Sequence, residues 1–124
     1  MARQSFDISS LTHANPIPAA TRIGPLVMSS IIVPRDPGAS TVPETIEDQL
    51  ANLFHHVGEA LTAAGAGWHH VAKMTFYLPD LDLRAELNRP WLQHFPDPTS
   101  RPARHTQLSP GKFAQCDFVA YIDH

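Results

Sequence analysis

Eight of the 124 residues are histidine, and metal chelation is the first chemistry that number suggests. The spacing argues against it. His55-His56 and His69-His70 are adjacent pairs. Neighbouring side chains lie about 100° apart on a helix and on opposite faces of a strand, so neither pair chelates by itself. No His-Glu-x-x-His pattern is present, and His13, His94, His105 and His124 stand alone. The expectation is no metal site, with the histidines solvated on an outer helix face. Cys116, the only cysteine, can form no internal disulfide and reads as a small packed residue. Glycine-rich dinucleotide and phosphate loops and the nucleophile elbow are all absent, which removes the common cues for dinucleotide binding, phosphoryl transfer and serine hydrolysis.

Arg104 is the residue whose setting suggests chemistry. It follows the rigid run Pro102-Ala103 and opens a β-like segment, where a planar guanidinium could grip a carboxylate through two parallel hydrogen bonds. A surface ion pair is the competing reading, and on the residues alone the commoner one. Asn88 could donate to a ligand or cap a loop. Ser29-Ser30 falls within an apolar run and reads as structural.

The elements that must position these residues follow from hydrophobic period and punctuation. Thr41-Val42-Pro43-Glu44 reads as a capping box that opens a helix. Ile46, Leu50, Leu53, Phe54, Val57 and Leu61 supply its apolar stripe, and Gly65 and Gly67 its stop. From Val71 to Leu78 the period becomes two, with Ala72, Met74, Phe76 and Leu78 on one face and Val71, Lys73, Thr75 and Tyr77 on the other. A second helix is expected over Leu83 to Phe95, kinked or restarted at Pro90. Strands are expected at Phe6 to Ser9, Ala20 to Ile23, Leu26 to Val33, Arg104 to Leu108 and Ala114 to Ile122, the last two joined by Ser109-Pro110-Gly111. The order β-β-β-α-β-α-β-β predicts an α+β domain, a mixed sheet with both helices on one face. Val71, Thr75 and Tyr77 make the other face too apolar to leave wet, which predicts an oligomer.

Length and composition fit one domain over residues 1–124. No apolar run approaches the roughly 20 residues of a membrane span. The N-terminal residues lack the apolar core of a secretory signal, so the expected location is cytoplasmic. A net charge of −3, with no basic run, argues against nucleic acid as a partner. The twelve prolines are spread among turns, and no repeat or low-complexity tract appears.

The run Ile46-Glu47-Asp48-Gln49-Leu50, then Ala63-Ala64-Gly65, Val71 to Leu78, Asn88 and Pro102-Ala103-Arg104, taken in that order, resembles the RidA (YjgF) family across residues 15 to 122. The resemblance implies a chorismate-mutase-like (bacillar type) mixed sheet assembled as a trimeric barrel, with ligand clefts between subunits. It implies hydrolysis of an enamine or imine of a small carboxylic acid, without cofactor or metal. Arg104 would anchor the substrate carboxylate and Asn88 would line the cleft.

Three segments depart from the family pattern. Gln115 stands where the family's water-activating glutamate would be; it can orient water but cannot take a proton at neutral pH. Asp117 shares its strand face about 7 Å further along, a partial replacement at best. The Gly-Pro-Tyr segment reads Asn15-Pro16-Ile17 and the Ser-Gly-Gln segment Ser30-Ile31-Ile32, which makes the cleft more apolar at Ile17 and Ile31. Thr106 is expected on Arg104's face and His105 on the other. Two activities remain open: a deaminase, acting on a substrate like 2-aminoacrylate or a ring-cleavage product such as an aminomuconate, or a trimeric carboxylate-binding protein without hydrolysis. The ribonuclease or translation-inhibitor role attached to some relatives is disfavoured by the acidic balance.

Overall fold

The computed structural model describes residues 2–123. His124 lies outside them. Among the described residues the elements are β1 (Gln4–Phe6), β2 (Ala20–Ile23), β3 (Leu26–Ser29), α1 (Ile46–Ala63), β4 (Val71–Leu78), α2 (Arg84–His94), β5 (Ala103–Leu108) and β6 (Gln115–Tyr121). Their order is the one the periodicity predicts. They form one mixed sheet in the order β1-β2-β3-β6-β4-β5, with β4 and β5 parallel and every other pair antiparallel. The two helices cover one face.

The α1 stripe buries Leu50, Leu53, Phe54, Val57, Ala60 and Leu61. They meet Val27, Met74, Phe76, Leu78, Cys116, Phe118 and Ala120 from the sheet, and Leu87 and Trp91 from α2. Gly65 supplies the expected stop at φ +80°, a backbone region costly for residues bearing a Cβ. There the N–H groups of Gly65 and Ala66 bond the carbonyls of Thr62 and Leu61 at 3.0 and 2.8 Å.

Several boundaries differ from the sequence expectation. The α1 cap is Thr45, whose Oγ1 accepts from the Asp48 N–H at 3.2 Å. Thr41 instead donates to Asp36 Oδ2 at 2.8 Å, in a loop that Asn52 also holds through Asp36 Oδ1 at 3.0 Å. The expected strand over Leu26 to Val33 ends at Ser29, because Ser29 Oγ takes the Phe118 N–H at 2.9 Å and interrupts the ladder. Ile32 then rejoins β6 as an isolated bridge to Cys116. The first strand is Gln4–Phe6, not Phe6 to Ser9.

In β4 a register shift between Val71 and Lys73 turns Val71 into the core and leaves Ala72 exposed, reversing the expected faces of those two residues. Pro90 does not restart α2, which runs unbroken to His94. Ser109-Pro110-Gly111 joins two strands that are not neighbours: β5 and β6 flank β4, and the Ser109 N–H bonds Leu78 O across its end.

His56 corrects the solvated reading of the histidines. It is fully buried, with Nδ1 2.8 Å from Ser10 Oγ and Nε2 2.7 Å from Arg35 O. Because a carbonyl can only accept, Nε2 carries the proton and the Ser10 hydroxyl donates to Nδ1. His55 is the exposed member of the pair, 3.4 Å from Glu59. His94 stacks on Phe54 at 4.5 Å while Nδ1 donates to Pro90 O at 2.8 Å.

Candidate functional site

Strand β5 is a sheet edge, and α2 is the crossover that joins it to the parallel strand β4. A crossover helix runs antiparallel to both of its strands. Alternation along β5 leaves Arg104 and Thr106 half-buried on the helix side and Ala103 and His105 exposed, as the sequence leads one to expect. Arg104 pairs in register with Met74, a core residue, so its side chain meets α2. There Nη1 donates to Asn88 Oδ1 at 2.8 Å, and the guanidinium lies 5.1 Å from the centre of the Trp91 ring.

Asn88 thus orients the arginine through Oδ1, on an exposed position of α2. Among the described residues Arg104 has no carboxylate within ion-pair distance. Burial first, and then the charge of Arg84, lower its pKa from the ordinary arginine value. A half-buried guanidinium fixed by an amide and an indole, without a counter-charge, is arranged to receive an anion.

Gln115 lies elsewhere. Along β6 the buried residues are Cys116, Phe118 and Ala120, so Gln115 and Asp117 occupy the face away from the helices. They sit opposite Tyr77 and Thr75 of β4. Tyr77 Oη donates to Asp117 Oδ2 at 3.4 Å. Burial raises the Asp117 carboxyl, opposed by that hydrogen bond and by Lys73. The Cys116 thiol faces the core, where burial pushes its pKa far up, which suits a packed residue.

The Ile32–Cys116 bridge sets Ile31 beside Asp117 and Val33 beside Gln115 on the same open face. Val33 and Gln115, with Pro34, Arg35, Val42 and Phe113, line a cavity of about 210 Å³. Ile17 is exposed on a loop with His13, and His13 Nε2 reaches Ile31 O at 3.3 Å. One chain thus gathers Arg104, Asn88 and Thr106 on one side of the sheet. It gathers Gln115, Asp117 and Ile31 on the other, with Ile17 on the loop before β2.

Three residues escape the sequence reading. Trp91 and Arg84 lie three and four residues from Asn88, the spacing of one helix face, and that period was the available signal. The alternation puts Tyr77 on the second sheet face, but its bond to Asp117 depends on a long-range register that no local pattern encodes. The open face also exposes Ile23, Leu26, Met28 and Tyr121, residues 38–56% accessible on three neighbouring strands. No described helix is long and apolar enough to cross a membrane.

A protein-family model described as Endoribonuclease L-PSP matches residues 8–108. The chain is 30% identical over 112 residues to Protein mmf2, mitochondrial, of Schizosaccharomyces pombe, which covers 90% of this chain and 86% of that protein. It is 38% identical over 65 residues to Reactive Intermediate Deaminase A, chloroplastic, of Arabidopsis thaliana, a stretch covering 52% of this chain and 34% of the plant protein. The match therefore spans only about a third of that relative's length. The crystal structure of RidA from the Antarctic bacterium Psychrobacter superposes with a TM-score of 0.86 over 96% of this chain and 99% of that chain, at 23% identity.

Proposed function

The chain belongs to the Endoribonuclease L-PSP family of RidA-type proteins, and from that premise we propose that it hydrolyses an enamine or imine of a small carboxylic acid to the keto acid and ammonia. The observation that carries this reading is Arg104, oriented by Asn88 over Trp91 and without a carboxylate partner among the described residues. The name of the Arabidopsis relative supports the reaction class.

An enamine first becomes an imine by protonation at its β-carbon and loss of the N–H proton. Water then adds across the C=N bond, and the resulting carbinolamine expels ammonia as its hydroxyl proton leaves and the C=O bond forms. Because the imine carbon is already electrophilic, the protein's work is to hold the acid and to orient one water.

In this reading Arg104 grips the carboxylate and Thr106, two residues along the same strand face, lines its cleft. Gln115 directs the water through its amide, and Ile17 and Ile31 form an apolar wall. Arg104 and Gln115 lie on opposite faces of one sheet, so the complete cleft takes Arg104 from one copy and Gln115 from another. A homotrimer closed over the apolar face that carries Met28 and Tyr121 is the proposed assembly.

The test is ammonia release from freshly generated imino acids. The unaltered protein accelerates it, and Arg104→Ala lowers kcat/KM roughly a hundredfold, the equivalent of about 3 kcal/mol for a lost charge-assisted grip. No acceleration with any such imine rejects the reaction. A carboxylate-binding protein without hydrolysis is the second reading, favoured by Gln115, which has no proton-accepting carboxylate. It predicts carboxylate-dependent thermal stabilisation that Arg104→Ala removes, with no turnover.

A further inference from the structure

The cleft beside Arg104 contains a second arginine that the reaction as described does not use. Arg84, the first residue of α2, lies one helical turn before Asn88 and on the same face, about 6 Å along the axis. Because α2 runs antiparallel to β5, the step from Asn88 back to Arg84 follows the step from Arg104 to Thr106, about 6.6 Å along the strand. Arg104 and Thr106 on β5 thus run alongside Asn88 and Arg84 on α2.

Arg84 Nε donates to Leu81 O at 2.9 Å, which fixes the side chain. Among the described residues neither arginine has a carboxylate within ion-pair distance. In the preceding turn Asp80 Oδ1 takes the Asp82 N–H at 2.9 Å. The two positive charges are near enough for Arg84 to disfavour the charged form of Arg104. Like charges held together without a counter-ion are unfavourable until an anion joins them.

We infer that this cleft selects a substrate bearing two carboxylates: Arg104 takes the one next to the imine carbon and Arg84 the distal one. The two anchors are separated along the cleft, which suits a short diacid and leaves the distal arginine idle with a monoacid. The identity of the reacting group rests on the imine-hydrolysis reading; the preference for a dianion rests on the cleft alone.

Binding and turnover separate the two. By calorimetry, glutarate binds the unaltered protein at least tenfold more tightly than butyrate, about 1.4 kcal/mol. Arg84→Ala brings the two affinities within twofold of each other, and Arg84→Lys keeps part of the difference. Arg89→Ala removes the same charge from another face of α2 and keeps the preference. Equal binding of glutarate and butyrate by the unaltered protein, or a preference that survives Arg84→Ala, overturns the inference. So does an equal loss of preference in Arg89→Ala, which would reduce the effect to net charge. In turnover, the imine of 2-oxoglutarate is hydrolysed with higher kcat/KM than that of pyruvate, through KM. If neither imine is hydrolysed while glutarate is still preferred, the reaction fails and the inference stands.

Discussion

Replacing the buried His56 links one side chain to both the magnitude and the pH dependence of stability. The ring is fully buried between Ser10 Oγ at 2.8 Å and Arg35 O at 2.7 Å, so it ties α1 to two loop segments. His56→Ala removes two hydrogen bonds worth about 1 kcal/mol each and leaves a buried hydroxyl and carbonyl short of partners, for a total of about 3 kcal/mol. With an unfolding entropy of about 0.26 kcal/mol per kelvin for a chain of this length, the melting temperature falls by about 12 °C.

The sign of the pH dependence follows from the same contacts. Burial lowers the pKa of His56 in the folded state; the Arg35 carbonyl opposes this, His55 adds to it and Glu59 opposes it. The unfolded chain therefore binds the proton more readily, and the stabilisation is fully present above the unfolded value of about 6.5. It is lost as pH falls below that value toward the lower folded one, by up to about 1.4 kcal/mol per pH unit for one proton. His56→Gln keeps hydrogen-bonding capacity but cannot titrate. Urea unfolding of both proteins at several pH values between 5 and 8 reads the difference. The gap between unaltered protein and His56→Gln narrows as pH falls from 7 to 5; a gap constant across that range refutes the assignment of the titration to His56.

Two further predictions concern the open sheet face. Gln115→Glu restores a proton acceptor where only an amide stands and raises kcat for imine hydrolysis, by up to about a hundredfold if general-base assistance is all that is missing; an unchanged pH–rate profile in the variant shows that Gln115 does not face the reacting water. Met28→Glu combined with Tyr121→Lys places charges on the exposed patch that carries both residues, and sedimentation should then find a smaller species than for the unaltered chain. An unaltered protein that sediments as a monomer removes both the proposed assembly and the shared cleft.

The parts of this fold legible in the sequence are those governed by one local period. The α1 stripe from Ile46 to Leu61, the limits of β4 and the placement of Arg104 and Thr106 on one side of β5 need only the alternation or the helical repeat. What escaped is set by partners distant in sequence. Val71 turns inward because the β4–β6 register slips at that point. The strand after Leu26 stops at Ser29 because a hydroxyl there takes the Phe118 N–H, 89 residues away in the chain. His56 is buried because Ser10 and Arg35 offer the two partners an imidazole needs, and neither is visible from a His-His pair. The cap moved from Thr41 to Thr45 for a subtler reason. Both threonines have an acidic residue three positions on, and Asp36 engages the first of them.

In the proposed reading, the site depends on more than one chain can display. A carboxylate held by Arg104 lies on the helix side of the sheet, whereas Gln115 and Asp117 project from the other side, beside Ile31. No rotamer carries Gln115 through a packed sheet to Arg104, so hydrolysis by both residues requires the open face of one copy to meet the β5 edge of another. That requirement ties the proposed chemistry to the apolar patch of Ile23, Leu26, Met28 and Tyr121, since the surface that would drive association lies on the same face as Gln115. Charging the patch with Met28→Glu and Tyr121→Lys should therefore abolish turnover while Arg104 and Asn88 remain paired. Activity that persists in a demonstrated monomer would mean that catalysis is confined to the α2–β5 cleft and that Gln115 has no part in it.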